Sequence, residues 1–221
     1  MNTDTHQVQV APAIASNPAH NIVNAALALA EKRSWEAVRL HDIAAETGMT
    51  LDEIRLYFRE KEEVADAWFD SADAAMLQDS AHPDFLRARP RERLHRVIMS
   101  WLNALAPHRK VTRQIIIGKC EPGHLHVQIP AILRVSRTVQ WMREAAHCDA
   151  VYWHRALEET ALTSIYLTTF IYWLNDNSPD SIRTRRLLDK LLGAAETLAL
   201  RLPWPLRRAP RRLSSLSRAV N

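Results

Sequence analysis

Glycine is scarce in this chain, which has only four glycines in 221 residues. Glycine and proline interrupt helices more strongly than other residues, so long stretches without them can remain helical. Such stretches here are rich in alanine, leucine and arginine, which favour helices. With 47% hydrophobic residues the chain can bury a core of good size. These features predict an all-α protein, either as one domain or as a small head fused to a larger body.

Apolar periodicity and capping residues predict where the helices lie. Helices are predicted over residues 21–33, 40–47, 51–57, 61–78, 90–105, 131–147, 151–174 and 180–202. Asn21 is a candidate N-cap for the first helix, and residues 118–130 are predicted to be the irregular stretch of the body.

Residues 47–58, TGMTLDEIRLYF, follow the pattern of a helix, a tight turn and a second helix. Gly48 stands where a left-handed C-cap is needed, and Thr50 with Glu53 forms a capping box for the next helix. The side chains that we expect this helix to bury are Leu51, Ile54 and Phe58. By spacing alone the pattern suits either a DNA-reading helix-turn-helix or an ordinary three-helix corner.

Residues 43–64, IAAETGMTLDEIRLYFREKEEV, resemble the N-terminal signature of TetR-type repressors, over roughly residues 20–68. The matching positions are Ile43, Ala44, Gly48, the hydroxyl of Thr50, Tyr57, Phe58, Lys61 and Glu62. The resemblance implies a TetR-like fold with a helix-turn-helix head over 20–60 and a ligand-binding and dimerisation body over 61–202. Double-stranded operator DNA is then the expected partner.

The candidate DNA-binding residues include several departures from that family's pattern. They are Arg39, Thr50, Leu51, Asp52, Arg55, Tyr57 and Lys61. Leu51, Asp52 and Glu53 stand where the family usually has basic or small residues, and Arg39 replaces a capping hydroxyl. The two carboxylates oppose phosphate binding, although an acidic side chain can accept a hydrogen bond from cytosine N4. Thr50 as a cap, Tyr57 as core and Lys61 as a solvated side chain are the structural alternatives.

Three segments of the body resemble a second family, the ubiquinone-biosynthesis accessory proteins. These segments are RERLHRVIMSWLNALAPHRK (91–110), WMREAAH (141–147) and YWLNDNSPDSIRTRRLLDKLL (172–192). That family has a TetR-like fold, but its known members bind lipid rather than regulate genes. From the residues alone, Asp176 to Arg183 is predicted to be a structural corner between two helices, with Arg183 bonded to Asp176 or Asp180.

Large apolar side chains on the middle helices indicate either a ligand pocket or a filled core. The candidate pocket residues are Phe85, Met99, Trp101, Trp141 and Met142. A pocket lined in this way would take a small apolar or lipid-like ligand. Apolar stripes on the last two helices predict a homodimer interface formed by Leu157, Ala161, Ile165, Leu188, Leu191, Ala195 and Leu198.

The positive charge of the chain is concentrated at one end. The net charge of +4 becomes −2 without the six arginines that follow Thr197. The tail over 203–221 therefore has three possible roles: contact with an anionic membrane surface, contact with DNA, or none beyond solvation. The body is slightly acidic, so the overall charge alone does not indicate nucleic-acid binding.

Several classes of function find no support in the sequence. Residues 1–19 form a leader expected to be disordered, without a signal-peptide pattern, and the apolar run 161–174 is too short to span a bilayer. Cys120 and Cys148 suit idle thiols in a reducing compartment, so a cytoplasmic protein is expected. His124 and His126 lack further ligands for a metal, and no nucleophile–base set is legible. We expect no enzyme activity, no metal and no cofactor.

Two hypotheses follow from the sequence. The first is a dimeric TetR-like transcriptional regulator that binds operator DNA and responds to a small apolar ligand. The alternative is a TetR-fold lipid-binding accessory protein that has lost DNA binding.

Overall fold

The computed structural model describes residues 17–119, 125–148 and 153–201, and regular structure in these ranges is helical throughout. The helices are α1 (Pro18–Lys32), α2 (Leu40–Thr47), α3 (Leu51–Arg55), α4 (Lys61–Ser80), α5 (Pro90–Leu105), α6 (Arg109–Lys119), α7 (Leu125–Ala145), α8 (Trp153–Trp173) and α9 (Ile182–Arg201). Short 3₁₀ turns lie at Phe85–Arg87, Ala106–His108 and Pro179–Ser181. The all-α prediction is confirmed.

The chain divides into two compact units. Among the described residues, the first unit comprises 17–71 and 108–119, and the second comprises 72–107, 125–148 and 153–201. Helix α4 contributes residues to both units, and α6 belongs to the first. This division differs from the predicted boundary after residue 60, which placed all of α4 and α6 in the body.

The first unit is built around α1, which packs against α2 and α6, while α2 packs against α3. Ile22, Ala26, Ile43 and Ile54 are among its almost completely buried side chains from these three N-terminal helices. Helix α1 begins earlier than predicted, because the Asn17 side chain accepts a hydrogen bond from Ala19 N at 3.1 Å. Pro18 then occupies the first turn, where a missing N–H costs nothing.

The second unit is built around α5, which packs against α7, α8 and α9. Trp101 on α5 is 1% exposed, and its ring makes edge contacts with Tyr166 and Phe170 on α8, each with 5.3 Å between ring centroids. Phe170 in turn stacks on Trp173 at 6.1 Å. Such aromatic pairs add to the stabilisation from burial alone, so this cluster is the centre of the core.

Several predicted boundaries need correction. Helix α7 begins at Leu125 rather than at residue 131, so Pro130 lies within a helix that the sequence placed partly in an irregular stretch. Helix α3 ends at Arg55, two residues earlier than predicted. Leu51, which was expected to be buried, is 54% exposed. At the first turn of a five-residue helix, most of this side chain is not covered by the described residues.

Candidate functional site

The turn between α2 and α3 depends on one backbone conformation. Gly48 has a φ of +69°, in the left-handed region where a side chain would be strained. The next N–H, that of Met49, donates to the carbonyl of Ala44 at 3.1 Å. This C-cap closes α2 and directs the chain at once into α3, as the sequence predicted.

The first turn of α3 is held by the predicted capping box, which is present. Glu53 N donates to Thr50 Oγ1 at 3.2 Å, and Thr50 N donates to Glu53 Oε2 at 2.7 Å. The Thr50 hydroxyl also donates to Glu53 Oε2, at 2.9 Å. Hydrogen bonds from the Thr50 backbone and then from its hydroxyl lower the pKa of Glu53 below its usual value. The carboxylate of Glu53 is thus already engaged within the helix.

The two faces of α3 differ in burial. Ile54 and Phe58 anchor the inner side at 1% and 7% exposure, while Asp52 and Arg55 are exposed on the other side. Leu56 directly follows α3 and is 79% exposed, four residues from Asp52 and therefore next to it on the same face. The remaining exposed candidates on this segment are Thr50, Leu51 and Tyr57. Leu56 was not among the DNA-binding residues predicted from the sequence, although its spacing from Ile54 and Phe58 already placed it on the outer side.

Lys61 is directed toward its own unit. Its ammonium donates to the carbonyl of Trp35 at 3.1 Å and lies 5.4 Å from the centre of the Trp35 ring. Half-buried in this way, Lys61 helps to fix the start of α4. Its charged group is therefore already engaged within the protein rather than directed to solvent.

Arg39 occupies the capping position of α2 without a capping hydroxyl. Its guanidinium donates to the carbonyl of Glu36 at 3.0 Å, and its backbone N–H donates to Asp42 Oδ2 at 3.0 Å. Hydrogen bonding from the Arg39 backbone is the main cause that lowers the pKa of Asp42, and an ion pair with Arg33 at 3.1 Å adds to it. Asp42 therefore caps the helix, which leaves the exposed Arg39 side chain at the surface.

The predicted pocket residues lie mostly in packed core. Phe85, Met99, Trp101 and Met142 are no more than 2% exposed, whereas Trp141 is 46% exposed on α7. Of these five, Met99 lines a cavity of about 280 Å³ in the second unit. Its other lining residues are Asp79, His95, Arg96, Ser100, Asn103 and Arg185, which are polar or charged.

A buried carboxylate beside Trp101 was missed by the sequence analysis. Asp73 is 7% exposed and accepts a hydrogen bond from the indole N–H of Trp101 at 2.7 Å. The Thr138 hydroxyl lies 3.2 Å from both of its oxygens. Burial and the charge of Asp73 raise the pKa of Tyr166, which is 3% exposed. In sequence Asp73 is one of several acids along α4, and nothing local distinguishes it.

The predicted dimer residues fall into two groups. Leu188 is fully buried and Ile165 is 9% exposed, so both belong to the core of their own unit. Ala161 is exposed, Leu198 is 65% exposed, and Leu191 and Ala195 are half-buried. Nothing is described of the Leu157 side chain. Ile171 and Tyr172, at 60% and 43% exposure, are further exposed apolar residues of α8.

The corner between α8 and α9 is organised by Asp176, which is 4% exposed. Its carboxylate accepts hydrogen bonds from the backbone and hydroxyl of Ser178 at 2.9 and 2.6 Å, and from those of Thr184 at 2.9 and 2.6 Å. Burial alone would raise the pKa of Asp176, but these four hydrogen bonds outweigh it and hold the pKa far below its usual value. The corner is structural, as predicted, with Ser178 and Thr184 in the place given to Arg183.

Some sequence predictions lie outside the described residues. These are the leader up to residue 16, Cys120, His124 and the tail over 203–221; the His126 side chain is likewise not described. Within the described ranges, no helix has the length and apolar character needed to cross a membrane. In the same ranges, no three histidine, cysteine or acidic side chains are placed to hold a metal ion.

Comparison with known structures gives a strong match to the crystal structure of the TetR transcriptional regulator from Nitrosomonas europaea ATCC 19718. The two sequences are 53% identical, the TM-score is 0.74, and the match covers 82% of this chain and 99% of that one. A TetR transcriptional regulator from Rhodococcus sp. RHA1 matches with 20% identity and a TM-score of 0.58, over 79% of this chain and 95% of that chain. A TetR-family transcriptional regulator from Streptomyces coelicolor matches with 16% identity and a TM-score of 0.56, over 83% and 85%. The last two support the fold alone.

The family model described as COQ9 matches residues 152–199, which include the Asp176 corner. A search of curated proteins returns no match.

Proposed function

Because this chain belongs to the TetR family of transcriptional regulators, we propose that it binds operator DNA through the outer face of α3. The proposal includes a response to a small apolar ligand held by the second unit, a cytoplasmic location and no catalytic activity. Strong identity over nearly the whole of a TetR regulator supports the family assignment, and the geometry of the head supports DNA binding.

The observation that carries the proposal is the way α3 is held. The Gly48 turn and the Thr50–Glu53 box fix its start, while Ile54 and Phe58 fix its inner side. The opposite face is left to solvent. In helix-turn-helix proteins this second helix enters the major groove, so its free face is the one that meets base edges.

Two-fold symmetry is part of the proposal, since such heads bind two half-sites about one turn of DNA apart. Helices α8 and α9 carry exposed apolar side chains that a second copy would cover, among them Ile171 and Leu198. A homodimer built on these helices would present two copies of α3 to one operator.

Fluorescence anisotropy on duplex DNA tests the proposal. The probes are the duplex upstream of the protein's own gene and a scrambled duplex of equal composition, at several salt concentrations. Arg55→Ala removes an exposed cation from α3 and is expected to lower affinity for the upstream duplex about tenfold, as for a lost base or phosphate contact. Arg113→Ala, an exposed arginine on α6 of the same unit, is the matched control and should bind like the wild type.

The contribution of the basic tail to DNA binding must be distinguished from that of α3. A full-length variant with Arg207, Arg208, Arg211 and Arg212 changed to Gln removes most of the tail charge. We expect weaker binding to both duplexes but the same preference between them. Equal binding to both duplexes by the wild type, lost in the tail variant, would contradict DNA reading by α3.

The lipid-binding alternative retains one specific observation, the COQ9 match over α8, the Asp176 corner and α9. That match covers a short segment, and the corner within it has a structural role. Mass spectrometry of lipids extracted from the purified protein tests this candidate, with the tail variant as a comparison. A stoichiometric isoprenoid quinone, together with no duplex preference, would favour it over the regulator.

A further inference from the structure

Two acidic residues in succession, Asp52 and Glu53, stand where a DNA-reading helix would meet a polyanion. The structure separates their roles. Glu53 points back along the helix and accepts hydrogen bonds from the Thr50 backbone and hydroxyl at 2.7 and 2.9 Å. Its carboxylate is therefore already bonded within the first turn of α3, through Oε2.

Asp52 has no such role. Its side chain is exposed, and among the described residues no hydrogen bond or ion pair to it is formed. It shares the outer face with Arg55, three residues on, and with Leu56, four residues on. When α3 lies in a major groove, the Asp52 carboxylate is the acceptor that this face presents to the bases.

The chemistry of the groove decides what such an acceptor can bind. Guanine presents two acceptors and thymine an acceptor and a methyl group, and all of these disfavour a carboxylate. Adenine offers its N6 donor next to its own N7 acceptor, whereas the N4 donor of cytosine has the C5–H group as its neighbour on the same base. An acidic side chain that finds no donor would only weaken binding, because affinity rests on neutralised phosphates.

We propose that Asp52 is a specificity-determining residue that reads a cytosine through its N4 amino group in each operator half-site. Glu53 acts as a positioning residue that holds α3 and does not contact DNA. This inference rests on the proposed function, since it requires α3 to lie in the major groove.

Selection from a duplex library with randomised half-sites tests the assignment with full-length protein. The wild type is expected to enrich cytosine at one position of each half-site. Asp52→Ala removes the acceptor and should lower that cytosine preference about tenfold, which is the size expected for one lost base contact. Glu53→Gln removes the same charge one residue away and keeps an oxygen that can accept from Thr50, so it should retain the wild-type preference.

A chemical probe tests the contact without altering the protein. N4-methylcytosine at the selected position places a methyl group where the proposed donor lies, and should lower wild-type affinity about tenfold. For Asp52→Ala, which lacks the acceptor, the difference in affinity between the unmodified and the N4-methylcytosine duplex should be well below that of the wild type. 5-Methylcytosine, which keeps the N4 donor, is the control for added bulk.

The outcomes distinguish this inference from the proposed function. A wild type that selects a defined sequence without cytosine preference, or an Asp52→Ala variant that keeps the cytosine preference, would overturn the inference and leave the regulator intact. A wild type that selects no sequence would overturn both. A role of Asp52 limited to stabilising α3 would change the melting temperature and leave base preference unmoved.

Discussion

Thr50 is the residue on which the geometry of the DNA-reading helix most depends. Its hydroxyl accepts from Glu53 N at 3.2 Å and donates to Glu53 Oε2 at 2.9 Å, so one side chain both caps the helix and orients the acid. A helix of five residues has few internal hydrogen bonds of its own, and its position depends on this cap and on the anchors Ile54 and Phe58.

Thr50→Ala is expected to lower the free energy of unfolding by about 1 kcal/mol, the usual loss for a missing N-cap. Thr50→Ser keeps the hydroxyl and should remain close to the wild type. Urea denaturation followed by circular dichroism measures both. A loss of equal size in the two variants would mean that the Thr50 methyl group, rather than the cap, carries the effect.

The lowered pKa of Asp176 predicts how the stability of the protein depends on pH. Asp176→Asn should lower the free energy of unfolding by about 3 kcal/mol at pH 7. Of the four donors to the buried carboxylate, two would then bond to a neutral oxygen, and the other two would face an NH₂ group that cannot accept. The folded-state pKa of Asp176 lies below its unfolded value of about 3.9, so its contribution is present above that pH and declines as the pH falls below it.

Thermal unfolding of the wild type and Asp176→Asn between pH 7 and pH 2.5 checks this expectation. The difference in melting temperature should be constant from pH 7 to about pH 5 and shrink below about pH 4. A difference that grows toward low pH would show that the carboxylate is not held ionised by Ser178 and Thr184.

At the scale of elements, α5 and α9 are joined by Arg91. Its guanidinium donates to the Asp189 carboxylate at 2.7 Å and to the Asp189 carbonyl at 2.9 Å, and lies 3.6 Å from Glu196. This guanidinium passes close to Gly193, where an added Cβ would lie 3.1 Å from Arg91 Nη2. Glycine lowers the helix propensity in the middle of α9, but its lack of a side chain leaves room for the Arg91 guanidinium.

The pairing of Gly193 with Arg91 predicts a non-additive effect. Gly193→Ala alone should give little gain in stability, because the better helix former displaces a held guanidinium. In the Arg91→Ala background the same change should add about 0.5–1 kcal/mol to the free energy of unfolding. A double-mutant cycle by urea denaturation measures the coupling, and equal gains in both backgrounds would rule out the close approach as the reason for glycine.

At the scale of the whole molecule, the proposed homodimer makes the exposed end of α9 a sensitive position. Leu198→Glu places a charge on a side chain that is 65% exposed in the protomer and would be covered in the proposed dimer. Leu133→Glu on α7, where the leucine is 61% exposed, is the matched control. We expect Leu198→Glu to form monomers at micromolar concentration while Leu133→Glu stays dimeric, because a buried unpaired charge costs several kcal/mol.

Sedimentation velocity measures the oligomeric state of each variant, and fluorescence anisotropy measures its affinity for operator DNA. Monomeric Leu198→Glu should lose most of its affinity for a full operator and keep weak binding to a half-site. A Leu198→Glu dimer as stable as the wild type would place the interface away from this end of α9.

The helix-turn-helix could be predicted in detail because its determinants are local. The glycine C-cap, the Thr50–Glu53 box and the start of α4 at Lys61 involve residues within a few positions of one another. Hydrogen bonds of this kind form wherever the local sequence allows them, so they can be read without knowing the fold. The TetR resemblance of the head rests on the same residues, and the family assignment is confirmed.

Which side chains meet across helices was not predictable in the same way. The Asp73 contacts with Trp101 and Thr138 join residues 28 and 65 positions apart, and the closest partners of Asp176 include Thr184 rather than the expected arginine. A row of apolar residues along a helix shows which face is buried, but not which element packs against it. Leu188 was therefore predicted to lie in a dimer interface, although it is buried in its own unit.

Most of the helices, the turn that positions α3 and the family to which the chain belongs could thus be predicted from the sequence, whereas α6 was not predicted. The tertiary structure was needed to establish which side chains meet across helices and which apolar residues remain at the surface. The physical reason is range. Caps and turns are set by neighbours along the chain, while burial is set by elements that approach one another only after folding.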